Sequence, residues 1–205
     1  MLALTAAALA PAPVGAARAA PATILVVGDS LSAEYGIERG SGWVARLDER
    51  LRSEKIAATV VNASISGDTT SGGRSRLPAL LKQHKPTHVI VELGGNDALR
   101  GLPLAMTQTN LTEMTRAAMA SGAKVVLTGM QVPPNYGRDY AEQFARMFTD
   151  VAKSERAALV PFLLKGVADA ADPLALFQSD RIHPKAEAHA IILGNVWPVL
   201  RPLIR

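Results

Sequence analysis

The chain contains no cysteine, which removes thiol nucleophiles, thiolate metal sites and disulfides together. This absence does not fix the compartment, because an exported protein can do without disulfides. Aromatic residues are sparse, at 4%. Lys and Arg form no run, and the excess of 22 basic over 18 acidic residues is spread along the chain. A basic patch interleaved with aromatics is therefore missing, and nucleic acid is not an expected partner. No apolar stretch is long and uninterrupted enough for a bilayer span, so stable membrane insertion is not expected either. His84, His88 and His189 have no carboxylate at metal-ligand spacing, which predicts no metal, and all three are expected at the surface. No cofactor is expected.

A chain of 205 residues with 48% apolar content suits one well-buried core. The first 22 residues, "MLALTAAALAPAPVGAARAAPA", lack acidic groups and offer small-residue sites at Ala17–Ala19 and Ala20–Ala22. They resemble the hydrophobic and cleavage regions of a secretory signal peptide, although no basic residue precedes Arg18. The organisation expected is therefore a leader over 1–22 and one domain over 23–205, placed in the periplasm or secreted and acting as a monomer.

Past the leader, short β-branched runs alternate with amphipathic stretches. "TILVV" (Thr23–Val27), "ATVVNAS" (Ala58–Ser64), "HVIVELG" (His88–Gly94), "KVVLTGM" (Lys124–Met130) and "ALVPFLL" (Ala158–Leu164) are near-continuous apolar runs. That is the pattern of parallel strands covered on both faces. Between them, Trp43, Val44, Leu47 and Leu51 share a helical face after Ser41, a candidate N-cap. Leu104, Leu111, Met114 and Ala118 form a second face, and Tyr140, Phe144, Met147 and Val151 a third. Ala186, Ala190, Leu193 and Trp197 form the last, which Pro198 should weaken. Thr70–His84 is also expected to be helical. The alternation predicts an α/β fold, a doubly wound parallel sheet of about five strands.

Ligands of such sheets gather beyond the carboxyl ends of the strands, and four polar blocks fall there. "GDSLS" (Gly28–Ser32) follows the first strand, "SGD" (Ser66–Asp68) the second and "GGND" (Gly94–Asp97) the third, while "SDRIHP" (Ser179–Pro184) precedes the final helix. Gly28 would let the backbone turn tightly and expose Ser30. A serine hydroxyl needs a base within hydrogen-bond reach to act as a nucleophile. Asp180 and His183 are spaced so that the carboxylate can hold one imidazole nitrogen and leave the other free. Gly67 and Asn96 could, with the N–H of Ser30, donate to a developing oxyanion. Taken singly, each residue also suits a turn or a helix cap. A phosphate loop is disfavoured, since "GDSLSAEYG" matches neither glycine-rich pattern and carries Asp29 and Glu34. This weakens the rival reading, a non-catalytic flavodoxin-like binding domain. The Pro- and Gly-rich segment Gln131–Tyr140 either lines an acyl pocket or serves as a connector.

The four blocks in this order, spanning Gly28 to Pro184, resemble the SGNH hydrolases, also called the GDSL family. "NASISGDTT", "RLPALLKQHKP" and "VELGGNDALRG" are similar to its bacterial multifunctional esterases with thioesterase, protease and lysophospholipase activity. The resemblance implies Ser30 as nucleophile, Asp180 and His183 as its triad partners, and an oxyanion hole of Ser30, Gly67 and Asn96. It implies a small-molecule acyl ester or thioester as substrate: aryl esters, acyl-thioesters or lysophospholipids. A carbohydrate or acetyl esterase of the same family is the alternative. One departure stands out: the family usually has Gly at the second position of the last block, where this chain has Arg181. A left-handed backbone there would strain an arginine.

Overall fold

The computed structural model describes residues 21–172 and 174–204. The expected leader lies almost wholly outside them. Ala22, however, is a buried residue at the start of the first strand and pairs with Ala58. The strand thus begins one residue earlier than expected, inside the stretch assigned to the leader.

Five parallel strands form one sheet in the order β2-β1-β3-β4-β5. They are β1 (Ala22–Gly28), β2 (Ala58–Asn62), β3 (His88–Glu92), β4 (Lys124–Thr128) and β5 (Ala158–Val160). Each apolar run became a strand, but β2 to β5 stop short of the expected carboxyl ends. In β5 the reason is local: Pro161 has no N–H to offer a ladder. Helices cover both faces. α1 (Trp43–Ser53) packs with α6 (His189–Leu200), and α2 (Thr70–His84), α4 (Leu104–Ala120) and α5 (Arg138–Glu155) pack side by side. The short α3 (Gly95–Leu99) follows β3. Strand order reverses between β1 and β3, and in open α/β sheets that switch point opens a crevice at the carboxyl ends. Ser30 and Asn96 flank it. No helix among the described residues is long and apolar enough to cross a membrane.

Both helix-interior prolines, Pro78 and Pro198, are tolerated. Their rings face solvent, where the carbonyl each leaves unpaired can be hydrated, while Leu77 and Trp197 beside them stay buried. Gln131–Tyr140 includes one 3-10 turn, Pro134–Tyr136, before α5 begins at Arg138.

Four expectations need correction. Ser41 is not the cap of α1: the cap residue is Gly42, and the Ser41 hydroxyl donates instead to the Glu38 carbonyl. His88 is buried, with its Nε2 3.0 Å from the Leu203 carbonyl oxygen. The last helix buries His189, Ile192, Leu193, Val196 and Trp197, whereas Ala190 is exposed. His189 is on the inner face because its Nδ1 accepts the N–H of Trp43 at 3.0 Å, so it satisfies the amino end of α1 from the far end of the chain.

That bond requires a neutral ring nitrogen. Burial, assisted by the charge of Arg46, lowers the His189 pKa from 6.5 to about 4. The folded protein therefore refuses a proton that the unfolded chain accepts. The stabilisation is complete above pH 6.5 and is lost as pH falls towards 4. At roughly 1.4 kcal/mol per pH unit, the loss should reach about 2–3 kcal/mol. Melting curves between pH 7 and 4 should show this decline in the wild type and a shallower one in His189→Gln.

Candidate active site

Ser30 sits just past β1, where the chain folds into a helical turn whose Ala33 N–H donates to the Asp29 carbonyl at 2.9 Å. Gly28 ends the strand without a left-handed φ, so the tight-turn reading of this glycine is wrong. Its role is space. A Cβ at Gly28 would lie 2.7 Å from Glu92 Oε2 and 2.8 Å from Ser32 Oγ. Removing the side chain lets β1 pass over two buried polar groups just before it presents the serine.

The last block turns back on the first. Ser30 Oγ is 2.8 Å from His183 Nε2, and His183 Nδ1 is 2.6 Å from Asp180 Oδ2. The other Asp180 oxygen accepts the N–H groups of Ile182 (2.9 Å) and His183 (3.0 Å). Burial works to raise the Asp180 carboxyl, but those two N–H groups and the imidazole outweigh it, bringing it from 3.8 to about 2. Asp180 thus stays ionised across ordinary working pH. The imidazole is held on its other side by Tyr35, whose ring centroid lies 4.3 Å away. Hydroxyl, imidazole and carboxylate form one continuous relay.

Three contacts lace the remaining blocks to this relay. Ile65 N–H donates to the Gly28 carbonyl at 3.0 Å, which ties the Gly67 loop to the end of β1. Arg100 donates to the Gly67 carbonyl at 2.8 Å, and Asn96 Nδ2 donates to Asp29 Oδ2 at 2.9 Å. Gly67 has φ +77°, a conformation that costs glycine nothing and a side-chain-bearing residue about 1–2 kcal/mol. Among the described residues, the N–H groups of Ser30 and Gly67 have no acceptor. All five residues singled out by sequence therefore belong to blocks that hydrogen bonds join at one end of the sheet.

Asp97, the last residue of "GGND", has a different job. Its buried carboxylate accepts Thr70 N–H and Thr70 Oγ1–H from α2 and Thr107 Oγ1–H from α4. It pins the loop that carries Asn96. Sequence reasoning missed it, and missed Asp29, Glu92 and Ser32, which are buried below Ser30. Glu92 was visible as the one acid within a buried apolar run. Its partners were not, because the β1–β3 register sets Glu92 against Gly28.

Arg181 is left-handed, with φ +60°. The conformation expected of the family's glycine is thus kept here by an arginine, and the loop still delivers His183. Glycine at 181 should relieve about 1–2 kcal/mol of strain, against roughly 0.4–1 kcal/mol of added unfolded-chain entropy. Arg181→Gly is therefore expected to raise stability by up to about 1.5 kcal/mol, read as a higher Tm. An unchanged or lower Tm would show that the arginine side chain compensates.

Residues 26–191 match the GDSL-like lipase/acylhydrolase family. Esterase TesA of Pseudomonas aeruginosa is 52% identical over 187 residues, covering 91% of this chain and 92% of that protein. The thioesterase 1/protease 1/lysophospholipase L1 of Escherichia coli is 41% identical over 186 residues, covering 91% and 86%. A crystal structure of TesA superposes with a TM-score of 0.85 at 53% identity, covering 88% of this chain and 99% of the other.

Proposed function

Since the chain belongs to the GDSL-like lipase/acylhydrolase family and is a carboxylic-ester hydrolase, we propose that it cleaves acyl esters and thioesters through a Ser30-His183-Asp180 triad. The observation that carries this reading is the relay of 2.8 Å and 2.6 Å contacts from Ser30 Oγ to Asp180. Ser30 Oγ attacks the acyl carbon while His183 Nε2 takes its proton. Asp180 holds the other nitrogen protonated, so Nε2 is the free base, and it stabilises the imidazolium that forms. The N–H groups of Ser30 and Gly67 and the amide of Asn96 receive the oxyanion. Collapse expels the alcohol or thiol with the proton from His183. Water, activated by the same nitrogen, then releases the acid and restores Ser30.

Acyl substrates are supported by the surroundings. Tyr35, Ile65, Leu99 and Ile182 are exposed apolar side chains, each within a few residues of a site block, and Tyr35 also lies tilted against the His183 ring. They offer apolar contact to a chain of carbons rather than a polar cradle for a sugar. The residues ahead of β1 are proposed to direct export, with the mature chain starting no later than Ala22, which pairs with Ala58.

The test is a panel of p-nitrophenyl esters of increasing acyl length, beside an acyl thioester and a lysophospholipid. Turnover of the esters and the thioester, with kcat/KM rising beyond acetyl, is expected. Activity confined to acetyl would favour the carbohydrate or acetyl esterase instead, and no turnover by folded protein would refute the reading.

A further inference from the structure

Directly beneath Ser30 lies a buried acidic pair that the reaction as described does not use. Asp29 and Glu92 are almost wholly inaccessible, and the Asp29 N–H that donates to the Glu92 carboxyl sets the two acidic groups side by side. Trp43 Nε1–H donates to Ser32 Oγ at 3.2 Å, so the Ser32 hydroxyl proton is free to point at Glu92 Oε2, 2.6 Å away. The same Glu92 oxygen accepts the Asp29 N–H at 3.2 Å, while Glu92 Oε1 meets no donor among the described residues. Asp29 is better supplied. Its Oδ1 accepts Leu31 N–H at 3.0 Å and its Oδ2 accepts Asn96 Nδ2 at 2.9 Å.

The charged groups that face this pair from the surrounding elements are few. His183 approaches Asp29 from the last loop. Arg76 of α2 reaches the Gly28 carbonyl at 3.3 Å, but its charge is already paired with Asp68 at 2.8 Å. Two full negative charges side by side, out of water and without a dedicated cation, do not persist; one carboxyl keeps a proton. Asp29, with a donor on each oxygen, is the member that can bear the charge. Glu92, with a donor-less oxygen, is the member that stays neutral.

This bears on Asn96. An asparagine amide has a donating and an accepting end of nearly the same shape, and only its partner decides which way it faces. An ionised Asp29 can only accept. It therefore holds Nδ2 and leaves the second N–H of that amide for a ligand. A neutral amide at position 29 could donate instead, bind Asn96 Oδ1 and turn the donor away. We propose that Asp29 is a positioning residue of the oxyanion hole, sharing one proton with Glu92 and fixing the direction of the Asn96 amide. This inference rests on Asn96 being the oxyanion donor.

The test is a double-mutant cycle of Asp29→Asn and Asn96→Ala, with kcat and KM on one p-nitrophenyl ester. Asp29→Asn alone should lower kcat about 10–100-fold with KM little changed. In the Asn96→Ala background the same substitution should cost less than about twofold. Equal losses in both backgrounds would overturn the positioning role. If Asn96→Ala itself leaves kcat intact, the oxyanion assignment fails, which is a separate result.

The shared proton has its own readout, independent of whether Asp29→Asn folds. Burial, reinforced by the charge of Asp29, raises the Glu92 carboxyl well above its ordinary 4.5. Folding then binds a proton that the unfolded chain releases, so wild-type stability declines as pH rises above 4.5 towards the folded value. Glu92→Gln cannot lose a proton. Its Tm should gain on the wild type steadily from pH 4.5 to 8. A Tm difference that stays constant over that range would overturn the one-proton pair.

Discussion

Replacing His183 with alanine is expected to lower kcat by a factor on the order of 10⁶, with Asp180→Asn costing roughly 10⁴. The order follows from the relay. Without His183, the Ser30 proton has no acceptor at 2.8 Å and the hydroxyl is a poor nucleophile. With asparagine at 180, the retained carbonyl oxygen can still accept the two loop N–H groups now held by Oδ1, at 2.9 and 3.0 Å. The new NH2 then faces His183 Nδ1 and forces the ring proton onto Nε2, where the base is needed. The wrong tautomer is costly but reversible, so the loss is smaller than removal of the ring. Both substitutions should leave KM and Tm nearly unchanged. In the wild type, Asp180 remains ionised to about pH 2, so acidifying an assay does not remove the carboxylate that holds the ring. A His183→Ala variant within tenfold of the wild type would remove the base from the account.

The second large effect is expected at Asn96. Its amide acts on charge that exists only near the transition state, so Asn96→Ala should reduce kcat about 10²–10³-fold, or ~2.7–4 kcal/mol, with KM much less affected. Had Asn96 served only to hold its loop, the loss would appear as stability, roughly 0.5–2 kcal/mol, with kcat preserved. The structure makes this contest sharper. Asn96 bonds to Asp29, but the loop itself is pinned independently by Asp97 through Thr70 and Thr107. Measuring kcat, KM and Tm of one variant separates the two roles.

The strands and the four site blocks were legible in the sequence for one reason. A parallel sheet covered on both faces writes continuous apolar runs, and its chemistry follows their ends. Ser30, Gly67 and Asn96 each come soon after such a run, and the D-x-x-H spacing of Asp180 and His183 declares its own geometry. What was illegible depends on partners far along the chain. Ser41 looked like the cap of α1, yet the acceptor for Trp43 N–H is His189, 146 residues away. His88 looked like a surface residue, yet the Leu203 carbonyl receives it in the interior. Gly28 looked like a tight-turn residue, and only the register that brings Glu92 alongside shows that it makes room for buried oxygens. Periodicity shows which faces are apolar; it does not show which polar groups a neighbouring element will satisfy.

An activated Ser30 can be trapped covalently. The protein is treated with a fluorophosphonate, digested, and the modified peptide is mapped by mass spectrometry, with Ser30→Ala and His183→Ala run alongside. One adduct per chain is expected, on Ser30, with ester hydrolysis lost in step. Ser30→Ala should form no adduct, and labelling of His183→Ala should be greatly slowed. Full ester hydrolysis by a folded Ser30→Ala protein, or an inactivating adduct on another residue, would contradict Ser30 as the nucleophile.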